Sequence, residues 1–310
     1  MKFVGIDLAW TYKNETGICI MSDDGEIEYL NSAILSNEEI VNLIKYYCNE
    51  RICIAIDAPL IVKNETGSRE AERNFMRNKI HGHNLSLFVA SRSYLTKTFG
   101  EIRGETLLKL ILNEIPGIEI NTMVSEEKST VIETFPSAVC CGVFPEIYPV
   151  KYKLKRTVPY NETQYQMNRL LSRLRKLEEE EGIVKNLVSE LKLNNIELCS
   201  KNHKHIEDKV DAFLSAYCIY SIYKKIANPL VFGDVEGGFI TISVIENTYM
   251  QSSASTKNEV GRKLNDSDIE ILKESLTKLA HSYNSSKKEQ KEIFNKLKKD
   301  IQRIEVECKL

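Results

Sequence analysis

Five carboxylates occupy positions in this chain from which they could act together. Asp7, Asp57 and Glu133 each end a short apolar segment, while Asp208 and Asp211 lie three residues apart in an apolar helical pattern. Residues three apart share one face of a helix. Acids at the ends of buried strands, joined by two more from a helix, are typical of a pocket for a divalent metal ion.

Each acid also has an ordinary structural interpretation. Asp57 precedes Ala58-Pro59 and is a plausible turn former, and acids such as Asp208 and Asp211 are favoured in the first turn of a helix. Their joint occurrence favours the metal pocket, because neighbouring carboxylates cannot all stay ionised without a cation. We therefore predict a catalytic site for Mg²⁺ or Mn²⁺ among the five acids Asp7, Asp57, Glu133, Asp208 and Asp211.

The elements that must position these acids open in the order β-β-β-α-β. Ser36 and Glu39 have the spacing of a capping box and predict the start of the helix. The predicted strands cover residues 2–10, 16–21, 27–34 and 52–56, the helix runs from 36 to 47, and a fifth strand covers 130–134. Three antiparallel strands, a crossover helix and a strand parallel to the first predict an α/β protein with a ribonuclease H-like mixed five-stranded sheet (β-β-β-α-β-α-β-α).

We predict one domain over residues 1–245 and a linker with a helical extension over 246–310. The domain has a helical insertion at about 62–128, with helices at 68–78 and 105–112, and a helical segment at about 160–200. A loop with His203 and His205 precedes a helix at 207–225, and a last strand covers 239–244.

In a sheet of this order the first and fourth strands are neighbours. Asp7 and Asp57 should therefore lie side by side, with Glu133 beside Asp57, and the helix at 207–225 should direct Asp208 and Asp211 towards them. In a two-metal site the ions lie about 3.5–4 Å apart and hold the attacking and leaving oxygens of a phosphodiester.

Basic residues are concentrated before the fifth strand. Residues 66–103 carry seven Lys or Arg against three Glu, in a chain whose net charge is −2. Arg69, Arg73 and Arg77 repeat every four residues, which predicts a ridge that binds phosphates, although a solvated basic face has the same pattern. Trp10, just after the first strand, is either a stacking surface for substrate or part of the core.

The bulk composition narrows the function classes. A chain of 310 residues with 42% hydrophobic content is long enough for a large domain. Its small net charge argues against general polyanion binding, and no apolar run reaches the roughly 18–20 residues of a membrane span. We expect a cytoplasmic protein, and a monomer and a homodimer are both compatible with the sequence.

Several motifs resemble a known family. The motifs are Gly5-Ile6-Asp7-Leu8-Ala9-Trp10, Ala55-Ile56-Asp57-Ala58-Pro59-Leu60, Arg69-Glu70-Ala71-Glu72-Arg73, Val131-Ile132-Glu133-Thr134-Phe135-Pro136-Ser137-Ala138, Asp208-x-x-Asp211-Ala212 and Glu236-Gly237-Gly238. They are similar, over roughly residues 1–245, to the predicted RNase H-like nucleases grouped as domain of unknown function 429. The resemblance implies a distant relation to Holliday-junction resolvases. It also implies that Asp7, Asp57, Asp208 and Asp211 take the metal positions, with Glu133 as an additional acid.

The leading functional hypothesis is a divalent-metal-dependent nuclease that hydrolyses DNA or structured RNA. A phosphotransferase or nucleotide-binding protein of the actin and sugar-kinase class shares the predicted core, although its phosphate loop usually has Gly where this chain has Leu8 and Ala9. A non-catalytic RNase H-like interaction module is the third alternative. Metal binding separates the third from the first two, and nucleotide binding without cleavage would favour the second.

Overall fold

The computed structural model describes residues 1–48, 50–194 and 198–246. In chain order the strands are β1 (Lys2–Asp7), β2 (Thr16–Ser22), β3 (Ile27–Ala33), β4 (Ile52–Asp57), β5 (Lys79–Ile80), β6 (His83–Asn84), β7 (Ile118–Ile120), β8 (Ser129–Glu133), β9 (Asn228–Asp234) and β10 (Gly238–Val244). The helices are α1 (Asn37–Tyr47), α2 (Glu70–Arg77), α3 (Arg92–Phe99), α4 (Arg103–Glu114), α5 (Pro136–Val143), α6 (Tyr160–Glu179), α7 (Leu187–Glu190) and α8 (His203–Tyr223), with a short 3-10 helix at Pro145–Ile147.

A mixed sheet of six strands forms the centre of the α/β fold, in the order β3-β2-β1-β4-β8-β7. β1, β2 and β3 pair antiparallel, and β1, β4, β8 and β7 pair parallel. The expectation of five strands is wrong, because β7 adds a sixth inside the predicted insertion. A strand of three residues is too short to show the alternation that identifies a strand in a sequence.

The other predicted strands of this sheet lie within one or two residues of the observed ones, except that β1 ends at Asp7 instead of Trp10. The capping box of α1 is also confirmed. The Ser36 hydroxyl accepts from the Glu39 backbone N–H at 3.1 Å, and a Glu39 carboxylate oxygen accepts from the Ser36 N–H at 2.7 Å.

The sheet is buried on both faces, which explains why its central strands are apolar throughout. Alternate residues of each strand enter different cores. Phe3 and Ala55 belong to the core beneath α5 and α8. Val4 and Ile54 belong to the core that α1 and α4 cover on the opposite face.

Two glycines allow α8 to lie directly on β1 and β2. A Cβ atom at Gly5 would lie 2.0 Å from the carbonyl oxygen of Ala212, and one at Gly17 would lie 2.1 Å from the carbonyl oxygen of Asp208. Both contacts are with helix backbone, so a side chain at either position would displace α8. The absence of side chains here sets the height at which Asp208 and Asp211 stand above the strand ends.

Both regions predicted to be helical contain helices in the described residues, together with elements that were not predicted. Helices expected at 68–78 and 105–112 correspond to α2 and α4, and the insertion also contains α3, the β5–β6 hairpin and β7. The segment at 160–200 holds α6 and α7, separated by a turn in which Gly182 has a φ of +63°.

The region after α7 differs from the prediction in two places. α8 begins at His203, so the loop expected around His203 and His205 is wrong; the first turn of this helix is polar, and Asn202 gives it no side-chain cap. The predicted last strand is confirmed as β10, whereas its partner β9 contains Pro229 and Gly233, which are typical of loops. The linker and helices expected after residue 246 lie outside the described residues. None of the helices in the described ranges has the length and apolarity needed to cross a membrane.

Candidate metal centre

The strand pairing places two of the predicted acids side by side. Asp7 ends β1, Asp57 ends β4, and the parallel register pairs these two residues directly. Paired residues of neighbouring strands project from the same face of a sheet. The two side chains therefore meet on the face that α8 covers.

α8 brings the other two aspartates to the same place. Carboxylate oxygens of Asp7, Asp57 and Asp211 lie within 4.8 Å of one another, and these residues form the one such group of three or more candidate metal ligands in the described residues. Asp208 lies one turn earlier on α8; burial raises its pKa, and Lys204 and the neighbouring Asp7 oppose that rise. It also lies 3.4 Å from the Ser32 hydroxyl. The structure thus unites the four predicted aspartates, with three of them in position to share one ion.

Two lysines that the sequence analysis did not identify lie within this cluster. Lys153 Nζ is 2.7 Å from Asp211 Oδ2, and Lys204 Nζ is 2.7 Å from Asp208 Oδ1. The Tyr152 hydroxyl donates to Asp211 Oδ1 at 2.5 Å. Lys204 and Asp208 have the i, i+4 spacing of a helical ion pair, so a correct start for α8 would have revealed Lys204. Lys153 lies in a loop with no periodic pattern and gave no such signal.

Burial and mutual repulsion disturb the ionisation of the aspartates. Burial, with Asp211 and Asp57 nearby, holds the pKa of Asp7 well above its ordinary value. Burial also raises the pKa of Asp57 to about 7, against the opposing influence of Lys153. Burial disfavours the charged form of Lys153, yet the surrounding aspartates hold its pKa above the ordinary value.

These shifts show that the cluster has more negative charge than its lysines balance. Four aspartates and Glu207, which lies 2.8 Å from Lys204, face Lys153 and Lys204, so full ionisation would leave negative charge uncompensated. The raised pKa values of Asp7 and Asp57 favour protonation of these carboxyl groups without a cation, and a divalent cation would replace the protons.

Glu133 has a different environment from the aspartates. It pairs with Ile56 of β4, one residue before Asp57, so its side chain starts from the opposite face of the sheet. Arg69 donates to both of its carboxylate oxygens, at 2.5 and 2.8 Å, and the Leu60 N–H donates to it at 2.9 Å. Burial raises the pKa of Glu133, and Arg69 opposes that rise. Its oxygens are therefore engaged in tying β8 to the segment that precedes α2.

The three arginines of the predicted ridge do not share an exposed face. Arg69 caps the N-terminus of α2 and is buried between Glu133 and Glu72, with its Nε 2.9 Å from Glu72. Arg73 and Arg77 are exposed on α2 and do not line the cavity above the aspartates. The expectation that Arg69 is exposed is wrong because it serves an internal ion pair, and substrate binding by Arg73 and Arg77 stays a prediction.

A cavity of about 680 Å³ opens over the aspartate cluster. Its basic lining residues are Lys13, Lys153, Lys201, Lys204 and the buried Arg69. His205 also lines it and lies 2.8 Å from Glu15. Trp10 forms part of one wall, half-buried, with its ring stacked on Phe99 at 5.1 Å. The cavity thus combines acids at its base with basic and aromatic groups around them.

Comparison with known proteins identifies the family. The chain belongs to the family described as "Protein of unknown function (DUF429)", which it matches over residues 5–228. No curated protein and no solved structure matches the chain. The matched residues include the four aspartates, Glu133, both cluster lysines and Trp10.

Proposed function

We propose that this protein is a divalent-metal-dependent nuclease that hydrolyses phosphodiester bonds of DNA or RNA. The observation that carries the proposal is the convergence of Asp7, Asp57 and Asp211, whose carboxylate oxygens lie within 4.8 Å of one another at the base of an open cavity. Three carboxylates at this spacing suit Mg²⁺ or Mn²⁺, which prefer oxygen ligands.

We also infer that the fold is ribonuclease H-like. The supporting features are the three antiparallel strands β1 to β3, the crossover through α1 and the parallel strands β4 and β8. β7 and the insertion before β8 would then be additions to that core, as would the β9–β10 hairpin.

The donor set fits one ion directly and offers a ligand for a second. Asp7, Asp57 and Asp211 would hold the first, and Asp208, which lines the same cavity, is the acid available to the second. A bound ion would lower the pKa of its coordinated water and neutralise charge that develops on the phosphoryl oxygens.

The chain's own residues would position the substrate phosphate. Lys153 and Lys204 hold ammonium groups beside the aspartates, where each can donate to a phosphate oxygen. The Tyr152 hydroxyl and Lys153 fix the orientation of the Asp211 carboxylate. Lys13 and Lys201, further out in the cavity lining, suit the flanking phosphates of a strand.

A cleavage assay on the full chain tests this function. Single-stranded, duplex and branched DNA and RNA would be incubated with Mg²⁺ or Mn²⁺, and with EDTA instead. We expect metal-dependent cleavage of at least one substrate by the wild type, and a loss of at least about a hundredfold in Asp211→Asn, as is typical when a group that stabilises the transition state is removed.

Glu127→Gln is the control, because it also replaces an acid by its amide but at an exposed position, and it should leave cleavage unchanged. Cleavage that persists in EDTA, or full activity in Asp211→Asn, would contradict the proposal. Binding of a nucleoside triphosphate without cleavage of any nucleic acid would favour the phosphotransferase alternative.

A further inference from the structure

Four aromatic rings form a closed cluster beside the metal centre. The centroid of the Trp10 ring lies 4.9 Å from that of Phe88 and 5.1 Å from that of Phe99. The Tyr94 ring contacts the same two phenylalanines, with centroid distances of 5.5 Å to Phe88 and 6.4 Å to Phe99. We name these residues the aromatic cluster. Three of them come from the insertion at 62–128, which the proposed nuclease core does not require.

One side of the aromatic cluster packs on a small buried core, and the other side is exposed to solvent. Val62, Ala90, Leu95 and Ile102 form a small buried core, against which Trp10 and Phe99 pack. Phe88 is 45% exposed and Tyr94 is 47% exposed. Large aromatic side chains grouped at a surface are more typical of a binding site than of a site needed for folding alone.

The aromatic cluster is continuous with the cavity above the aspartates. Trp10 and Phe88 line that cavity together with Asp7, Asp57 and Asp208. Trp10 follows Asp7 by three residues, so the short segment after β1 keeps the aromatic cluster close to the carboxylate of Asp7. A ligand that fills the cavity would therefore contact both.

We propose that the aromatic cluster binds an unpaired nucleobase next to the phosphodiester that lies over the aspartates, an inference that rests on the proposed nuclease function. The cavity lysines attract phosphates, and the rings offer stacking to a flat, uncharged group one nucleotide away. A base in an intact duplex has both faces covered by its neighbours. The substrate class is therefore single-stranded or locally unpaired nucleic acid.

The fluorescence of Trp10 reports on this contact directly, because the chain contains one tryptophan. A short single-stranded oligothymidylate would be titrated into the full chain in EDTA at low salt, with its affinity measured separately by anisotropy of a labelled strand. We expect saturable quenching of Trp10 at the concentrations at which the strand binds. The same strand within a blunt duplex should bind more weakly and quench less.

Two variants identify the aromatic contribution. Phe88→Leu should weaken binding of the single strand about tenfold, since stacking of one base on one ring has roughly this value. Phe88→Tyr keeps the ring and should restore binding. Tyr165→Leu, a matched change at an exposed aromatic residue of α6 outside this cavity, should bind as the wild type does. Circular dichroism confirms that each variant is folded.

The results separate this inference from the proposed function. A strand that is cleaved, yet neither quenches Trp10 nor loses affinity in Phe88→Leu, overturns the base-binding role and leaves the nuclease proposal standing. Quenching that depends on Phe88, without cleavage under any metal condition, supports the base-binding role and removes the nuclease proposal. Equal affinity for the duplex overturns the assignment to unpaired bases.

Discussion

At the scale of single residues, the two kinds of acid in this site differ in what balances their charge. The aspartates have a deficit of cationic partners, whereas Glu133 is held by Arg69 through two hydrogen bonds. Substitution by the neutral amide should therefore have opposite effects on stability at the two positions.

Removal of the Glu133 charge should destabilise the fold. Glu133→Gln leaves the buried Arg69 without one of its two carboxylate partners, and breaking a buried ion pair in this way costs about 3 kcal/mol. Urea denaturation of the full chain measures the change in the free energy of unfolding. A variant as stable as the wild type would show that the pair has no role in joining β8 to the segment before α2.

The ionisation of Asp57 should make the free energy of unfolding depend on pH when no metal is bound. Its pKa is about 7 in the fold, against an ordinary value of 3.8. Between these pH values the native state binds more protons than the unfolded state, so this group makes the free energy of unfolding fall as pH rises. Asp57→Asn has no proton to lose, and its pH profile should be flatter.

Thermal denaturation of both proteins in EDTA tests the sign of this effect. The melting temperatures should be similar at pH 5, and Asp57→Asn should melt at the higher temperature at pH 8. The charged groups that influence Asp57 and must stay unchanged are Asp211, Glu133, Lys153 and Lys204, with Asp7 coupled to the same cluster. A difference that shrinks as pH rises would contradict the assignment of a raised pKa to Asp57.

At the scale of secondary structure, the close approach of α8 to the sheet decides whether the aspartates meet. Gly17→Ala introduces a Cβ atom 2.1 Å from the Asp208 carbonyl, which the helix can relieve only by moving away. We expect a loss of about 1–3 kcal/mol in the free energy of unfolding, as for other overpacked contacts, together with weaker Mn²⁺ binding.

Gly237→Ala is the control for this change, because a Cβ atom there meets nothing closer than 3.5 Å. Denaturation and metal titration of both variants provide the comparison. A Gly17→Ala protein with wild-type stability and wild-type metal affinity would show that the contact is not what positions Asp208.

The helices and strands that could be predicted are those with a regular pattern of apolar residues in the sequence. The apolar runs of β1, β2, β4 and β8 identified the strands, and the strand order then correctly placed Asp7 beside Asp57. β7 is three residues long, and β9 contains proline and glycine, so neither has a recognisable period. The start of α8 was missed because no side-chain cap marks it.

The same distinction applies to the site residues: those marked by a local sequence pattern could be predicted, and those placed by contacts between distant segments could not. The four aspartates stand at the ends of strands or on a helix face and could be predicted. The pairing of Lys153 with Asp211, and of Arg69 with Glu133, joins segments far apart in the chain. No periodicity encodes such contacts, and for that reason Arg69 was expected at the surface and Lys153 was not considered.

At the scale of the whole molecule, the distribution of charge in space differs from its distribution along the sequence. The basic segment at residues 66–103 carries Arg69 in an internal ion pair and Arg73 and Arg77 outside the cavity. The cationic groups that do surround the aspartates come mainly from three other places, at Lys13, Lys153 and Lys201 to Lys204. Lysines from separate segments of the chain are thus interspersed with the acids that line the cavity.

The family match over residues 5–228 and the observed fold differ in extent. β10 lies beyond the match, yet the Thr134 hydroxyl donates to the Thr241 carbonyl at 2.8 Å, and Ile240 lines the cavity. The β9–β10 hairpin is therefore part of the unit that carries the site.

Calorimetric titration of Mn²⁺ into the full chain, without substrate, tests the central claim most directly. The wild type should bind the ion, and Asp7→Asn should lose that binding while remaining folded, because Asp7 contributes one of the three oxygens within 4.8 Å of one another. Binding by the wild type that Asp7→Asn retains in full would contradict the account. So would the absence of Mn²⁺ binding by the wild type.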